Sequence, residues 1–285
     1  MSSVYRPGVG ANRDAFDVPD GVAYFNTANL SPLLHSVRAA GEAALARRAK
    51  PWTIAEHDWF DDAEQARSLF GQLIGASADG IAVVPATSYG FAVAAHNLTL
   101  RPSERVLVLG EEYPSGVYTW RDATRRVDAE ILTVTRGPDQ SWTDAVLAEL
   151  DERVAVVSVP NVHWTDGAAL DLAAIAHRAR DVNARLVIDA SQSVGALPVD
   201  IAELQPDYLI SVGYKWLLGP FAIGYLYVAP QHRDGQPLEQ NWILRADSQD
   251  FARLVDYRDE YQPGARASTS ASEPTSKPCP WRSQH

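Results

Sequence analysis

Residues 186–192 read LVIDASQ, three aliphatic side chains in a row followed by a carboxylate, a small residue and two polar ones. An unbroken apolar run of this length, with no polar partner at alternate positions, predicts a strand buried on both faces. Working outward, the same kind of run recurs at 81–84, 106–109, 131–134, 154–159, 208–212 and 222–228. Amphipathic stretches separate several of these runs. One spans 143–150, and another begins where Asp171 can cap a helix that turns Leu172 and Ile175 inward. Strands alternating with helices predict an α/β domain: a mostly parallel seven-stranded sheet in a three-layer α/β/α sandwich. Ahead of the sheet, Leu33, Leu34, Val37, Ala40 and Ala44 recur at helical spacing, with Ser31 as the expected N-cap and Pro32 at the first helical position. A second helix carries Trp59, Ala63, Ala66, Phe70 and Leu73 on one face.

The chemistry gathers where runs end. In open α/β sheets ligands lie beyond the carboxyl ends of the strands, which is where Asp189 and Gln192 fall. Twenty-six residues after Asp189, directly after the 208–212 run, comes Gly213-Tyr214-Lys215-Trp216, and Gly219-Pro220 then suits a tight turn. A lysine between two aromatic residues at a strand end is partly desolvated, which favours the neutral amine that imine formation needs. A carboxylate that keeps a pyridine nitrogen protonated is its natural companion, and the two make the set that pyridoxal 5'-phosphate (PLP) chemistry requires. The plain alternative is a strand-end helix cap at Asp189 and a surface lysine at Lys215.

Two longer stretches, VIDASQSVGALPVDI and DYLISVGYKWLLGPFAIGYLYV, resemble the aminotransferase class V family of PLP-dependent enzymes, which includes cysteine desulfurases, selenocysteine lyases, kynureninases and isopenicillin N epimerase-like proteins. The resemblance runs from Tyr24 to about Gly264. It implies the large domain of PLP-dependent transferase fold type I, acting on a small amino-acid substrate by aminotransferase or C–S lyase chemistry, as a homodimer. By the resemblance Lys215 is the catalytic Schiff-base lysine, Asp189 the partner of the ring nitrogen and Gln192 the contact to the ring O3′. Thr87 and Ser88 would hold the phosphate, since Pro85-Ala86-Thr87-Ser88 opens a helix after a strand. Tyr113 stands where relatives place a ring over the pyridine, with ordinary packing as the alternative. His163 and Trp164 fall in a segment that lines the cofactor in relatives, and a buried, satisfied histidine is the alternative there. Tyr214 occupies a place where many relatives have a histidine for the phosphate. In the desulfurase branch an asparagine stands where this chain has Trp164.

Composition bounds the rest. The formal net charge of -11 argues against a nucleic-acid backbone or an anionic membrane as partner. One cysteine, Cys279, excludes a disulfide framework and a multi-cysteine zinc site, and no histidine pair has metal-ligand spacing. No apolar run marks a signal peptide or a membrane span, so a cytoplasmic protein is expected. The expected organisation is an arm over residues 1–30, the PLP-binding domain over 31–264, and a disordered tail over 265–285 rich in Ser, Thr, Pro and Ala. Because relatives continue into a smaller C-terminal domain, the chain reads as truncated or inert, with a reading-frame shift in the coding DNA as the expected origin of the tail. One choice of codons for residues 268–285, read one base out of frame, gives FDVGERADFEALPMAIAA.

Overall fold

A computed structural model describes residues 12–270 of the chain. Seven strands form one sheet: β1 (Ile81–Val84), β2 (Arg105–Leu109), β3 (Glu130–Val134), β4 (Val154–Pro160), β5 (Arg185–Asp189), β6 (Tyr208–Val212) and β7 (Gly224–Val228). Their spatial order is β1-β7-β6-β5-β4-β2-β3. The pairs β2–β3, β2–β4, β4–β5 and β5–β6 are parallel, while β7 runs antiparallel to both β1 and β6. The mostly parallel α/β sheet expected from the apolar runs is therefore the one found, and a single reversed strand accounts for the word mostly.

Side-chain alternation along the strands divides the core between two faces. Leu186, Ile188 and Leu209 point to one face, against α2 (Asp61–Ile74), α5 (Trp142–Glu149) and α6 (Leu172–Asp181) through Phe70, Val146 and Ile175. Val187, Tyr208 and Ile210 point to the other, against α3 (Thr87–Asn97) and α4 (Pro114–Val127) through Phe91 and Trp120. Each large apolar side chain so buried contributes on the order of 1.5–3 kcal/mol. Trp120 is fully buried and still satisfies its indole, donating from Nε1 to Ser158 Oγ at 2.8 Å. A short α7 (Ile201–Leu204) is capped by Asp200, and α6 is capped by Asp171, whose carboxylate accepts from the Ala174 N–H at 2.9 Å.

Two expectations need correction. Ser31 does not cap the first helix, α1, which spans His35–Arg48 with Leu34 at its N-cap. Ser31 is instead buried, and its N–H and hydroxyl both donate to the Tyr214 carbonyl, at 3.0 and 3.1 Å. A long-range partner outcompeted the local cap. The second correction concerns the tail, which was expected to begin at 265. Residues 264–268 form a 3-10 turn with Ala265 and Ala267 buried, and Thr269 and Ser270 are buried after it. Thr269 Oγ1 accepts from Arg67 Nη2 at 2.9 Å and from the Val83 N–H at 3.3 Å, while the Ser270 N–H donates to Val83 O at 3.2 Å. These small polar residues complete the free edge of β1, a use that composition alone does not reveal. The remainder of the expected tail, and residues 1–11 of the expected arm, lie outside the described residues.

Candidate active site

Strands β1, β2, β5 and β6 all deliver their carboxyl ends to one edge of the sheet, and the cavity there is lined by Thr87, Glu112, Tyr113, Trp164, Asp189, Ser191, Gln192, Tyr214 and Lys215, among others. Asp189 closes β5. Its Oδ1 accepts from the Ser191 N–H at 2.9 Å, and Ser191 Oγ in turn accepts from Val212 N on β6 at 3.3 Å, which ties the two strand ends together. Burial pushes the Asp189 carboxyl up from the ordinary aspartate value, against the pull of its Ser191 hydrogen bonds and of Lys215. A carboxylate penalised in this way is well matched to a cationic ring nitrogen.

Lys215 sits in the turn that joins β6 to β7. Gly213 makes that turn feasible: its N–H donates to Ile223 O at 2.7 Å, and an added Cβ would lie 2.8 Å from the same oxygen. Leu217, fully buried, pins the far side of the loop. Burial lowers the pKa of Lys215, and the nearby Asp189 partly opposes that shift. Its Nζ lies 5.6 Å from the centroid of the Tyr113 ring. Tyr113 stands at the N-cap of α4 and meets Trp164 edge-on at 5.6 Å, while Trp164 Nε1 donates to Glu111 O at 2.7 Å. The ring thus overhangs the lysine.

At the start of α3 no side chain caps the helix, because the N-cap residue is Ala86. The first N–H groups are left for another acceptor, as a phosphate-binding helix end requires. Thr87 lines the cavity beside them, whereas Ser88 is exposed and does not. Gln192 lines it too, but its amide is engaged, donating from Nε2 to Ala28 O at 3.0 Å and accepting from Trp216 Nε1 at 2.9 Å. Tyr214 reaches the cavity with its ring stacked on Phe221, centroids 4.4 Å apart.

His163 is not brought into the site. It is 1% exposed, stacks on Trp142 at 4.7 Å, and holds Gly110 O at 3.1 Å and Thr165 Oγ1 at 2.8 Å through its two ring nitrogens. A loop histidine followed by a Thr-Asp-Gly turn was drawn under the strand ends by packing, which leaves Trp164 as the cavity-facing member of that pair. Two members of the site went unnoticed in the sequence, Glu112 and Ser191. Both adjoin a residue singled out there, and the ends of β2 and β5 are the signal that places them. Among the described residues no cluster of metal-ligating side chains forms, and no helix is long and apolar enough to cross a membrane.

The arrangement suits a flat, anionic, nitrogen-bearing ring: a helix end for a phosphate, a half-buried carboxylate for a ring nitrogen, an aromatic face and a desolvated lysine. Comparison with known proteins points the same way. A kynureninase of Deinococcus radiodurans is 29% identical over 278 residues, covering 92% of this chain and 64% of that protein. An isopenicillin N epimerase of Streptomyces clavuligerus is 26% identical, covering 76% of this chain and 55% of that protein. The chain therefore spans less than two thirds of either relative. The structure of a C-DES mutant with glycine covalently linked to its PLP cofactor superposes with a TM-score of 0.84 at 16% identity, covering 95% of this chain and 72% of that one, so the two share a fold. The model of the family described as Aminotransferase class-V matches residues 50–240, more than half of the chain. On that match the protein is a member of the class-V aminotransferase family.

Proposed function

We propose that the protein is a PLP-dependent enzyme acting on an amino acid, with Lys215 holding the cofactor covalently. The observation that carries the reading is the pairing of a desolvated lysine, under the Tyr113 ring, with a half-buried carboxylate. When bound, the cofactor supplies an electron sink for the bonds at the substrate Cα. The chain's own residues do the rest. Asp189 holds the proton of the ring nitrogen and keeps the charge that makes the sink effective. The first turn of α3, with Thr87, anchors the phosphate. Tyr113 and the walls at Val162, Trp164 and Val212 exclude water from one side. Lys215, with its ammonium form disfavoured by burial, is suited to accept and return a proton at the substrate Cα. Transamination, C–S cleavage and the kynureninase- and epimerase-like reactions of the relatives all begin with these tasks.

The active unit in this reading is a homodimer, checked by the solution mass of the cofactor-loaded protein. Purified protein is titrated with PLP and its absorbance followed before and after borohydride, beside Lys215→Ala. A band that borohydride abolishes, and that the variant never forms, is expected. No band from protein shown to be folded would overturn the reading and favour an inert PLP-fold chain.

A further inference from the structure

We propose that Glu112 is a working member of the same site: its sealed Oε2 holds a proton in the cofactor-free protein and donates it as a hydrogen bond to the ring that seats beside Tyr113. The inference rests on the cofactor reading above and gives a role to a carboxyl which that reading does not use. Glu112 lies in the turn from β2 to α4, directly after Glu111, which adopts a left-handed backbone conformation (φ 55). Its Oε1 accepts from the Tyr113 N–H at 2.6 Å, which ties the carboxyl to the backbone of the residue whose ring overhangs Lys215. Its Oε2 is buried and has no hydrogen-bond partner among the described residues. Native structures seldom leave such an atom unpaired unless a ligand or water supplies the partner.

The charges around it decide its protonation. Asp189 faces the cavity from the end of β5, Lys215 and Tyr214 from the turn after β6, and Tyr113 from Glu112's own segment; among the described residues no arginine or histidine lines it. His163, behind Gly110, is already held on both ring nitrogens. Two carboxyls thus face one cavity whose amine acts on Asp189, and the charge of Asp189 disfavours a second charge on Glu112. Burial pushes Asp189 up as well, but it has hydrogen bonds from Ser191 and the charge of Lys215 to favour its charged form, whereas Glu112 has a single backbone N–H and a bare second oxygen. Glu112 is therefore the member that keeps the proton. In agreement, burial, reinforced by Asp189 and opposed by the Tyr113 N–H, pushes its carboxyl up to about 7.

The test compares wild type with Glu112→Gln, which keeps an N–H donor but cannot titrate. Cofactor-free protein is melted between pH 5 and 8.5, and PLP affinity is measured over the same range. A raised carboxyl stabilises the fold fully below its unfolded value and loses that contribution as pH rises through its folded value. Wild type should lose about 2–4 °C of Tm against the variant as pH rises through neutrality. Its PLP dissociation constant should also rise, by up to about tenfold relative to the variant's, per unit of pH above that point. Parallel melting profiles, or parallel PLP profiles, would overturn the role of Glu112 while a borohydride-sensitive band at Lys215 still stood. PLP binding to neither protein at any pH would overturn both readings. Should the variant not fold, carbon-13 NMR of glutamate-labelled wild type gives the answer directly. A carboxyl titrating near neutrality supports the proposal, and every glutamate titrating at about 4.3, the ordinary value, overturns it.

Discussion

Asp189 shows how one half-buried carboxyl serves a cofactor-free and a cofactor-loaded protein differently. In the cofactor-free protein its folded pKa stands above the unfolded value, because burial outweighs the Ser191 hydrogen bonds and Lys215. Its contribution to stability is complete below the unfolded value and is lost as pH rises through the folded one. Asp189→Asn removes that loss. The empty variant is therefore expected to melt no lower than wild type at pH 8, which calorimetry can check. The same substitution removes the anion that the ring nitrogen needs, so PLP affinity should fall by about tenfold or more, the equivalent of one pKa unit of lost interaction. A variant that is less stable when empty but binds PLP normally would mean that Asp189 is a structural strand end. Gln192, by contrast, already spends both ends of its amide on Ala28 and Trp216. Its first duty is to fix the loop containing Lys215 against the chain near Ala28.

At the scale of elements, the site depends on how closely α3 lies on the sheet. Gly90 faces Ile210, and an added Cβ would stand 2.9 Å from two of that side chain's carbons. Since α3 presents its first turn to the cavity, pushing it outward moves Thr87 and the free N–H groups together. Gly90→Ala should cost about 1–3 kcal/mol through overpacking, read from denaturant midpoints. It should also weaken PLP binding more than an alanine placed on the outer face of the same helix. Equal effects from both positions would show that the helix end tolerates the shift. The turn at Gly213 obeys the same logic at the other side of the cavity, where a carbonyl approaches too closely for any side chain.

Across the whole molecule, residues 264–270 bind the start of the domain to its end. Arg266 pairs with Glu64 at 2.6 Å and with Asp79 at 2.9 Å, while Arg67, also paired with Glu64, reaches Thr269. Despite the desolvation that opposes it, Glu64 is held below its usual range by Arg266 and Arg67. Its stabilisation is thus present above the unfolded value and lost as pH falls through the folded one. Thr269→Val keeps the shape and removes the hydroxyl shared by Arg67 and Val83. It should destabilise the fold by about 1–3 kcal/mol, since two buried donors lose their acceptor. An unchanged melting temperature would show that the segment rests on β1 without holding it.

The sequence by itself determined the strands, their parallel bias and the pair Asp189 and Lys215, because each rests on local information: an apolar run, the residue that ends it, and the chemistry of one side chain. The class-V resemblance placed Thr87 and Tyr113 at the same edge, and both line the cavity. What the sequence could not decide was the outcome of competition between partners distant along the chain. Ser31 had a helix to cap, yet the Tyr214 carbonyl, 183 residues away, holds it instead. His163 had a cavity nearby, but Trp142 and Gly110 enclose it. Thr269 and Ser270 look like tail by composition and act as the seal on an edge strand. Glu112 is one acidic residue among many in the sequence, and only the packed structure buries one of its oxygens without a hydrogen-bond partner among the described residues. Burial and hydrogen bonding between remote segments are set when the layers pack, so tertiary structure alone decided which polar groups face the cavity.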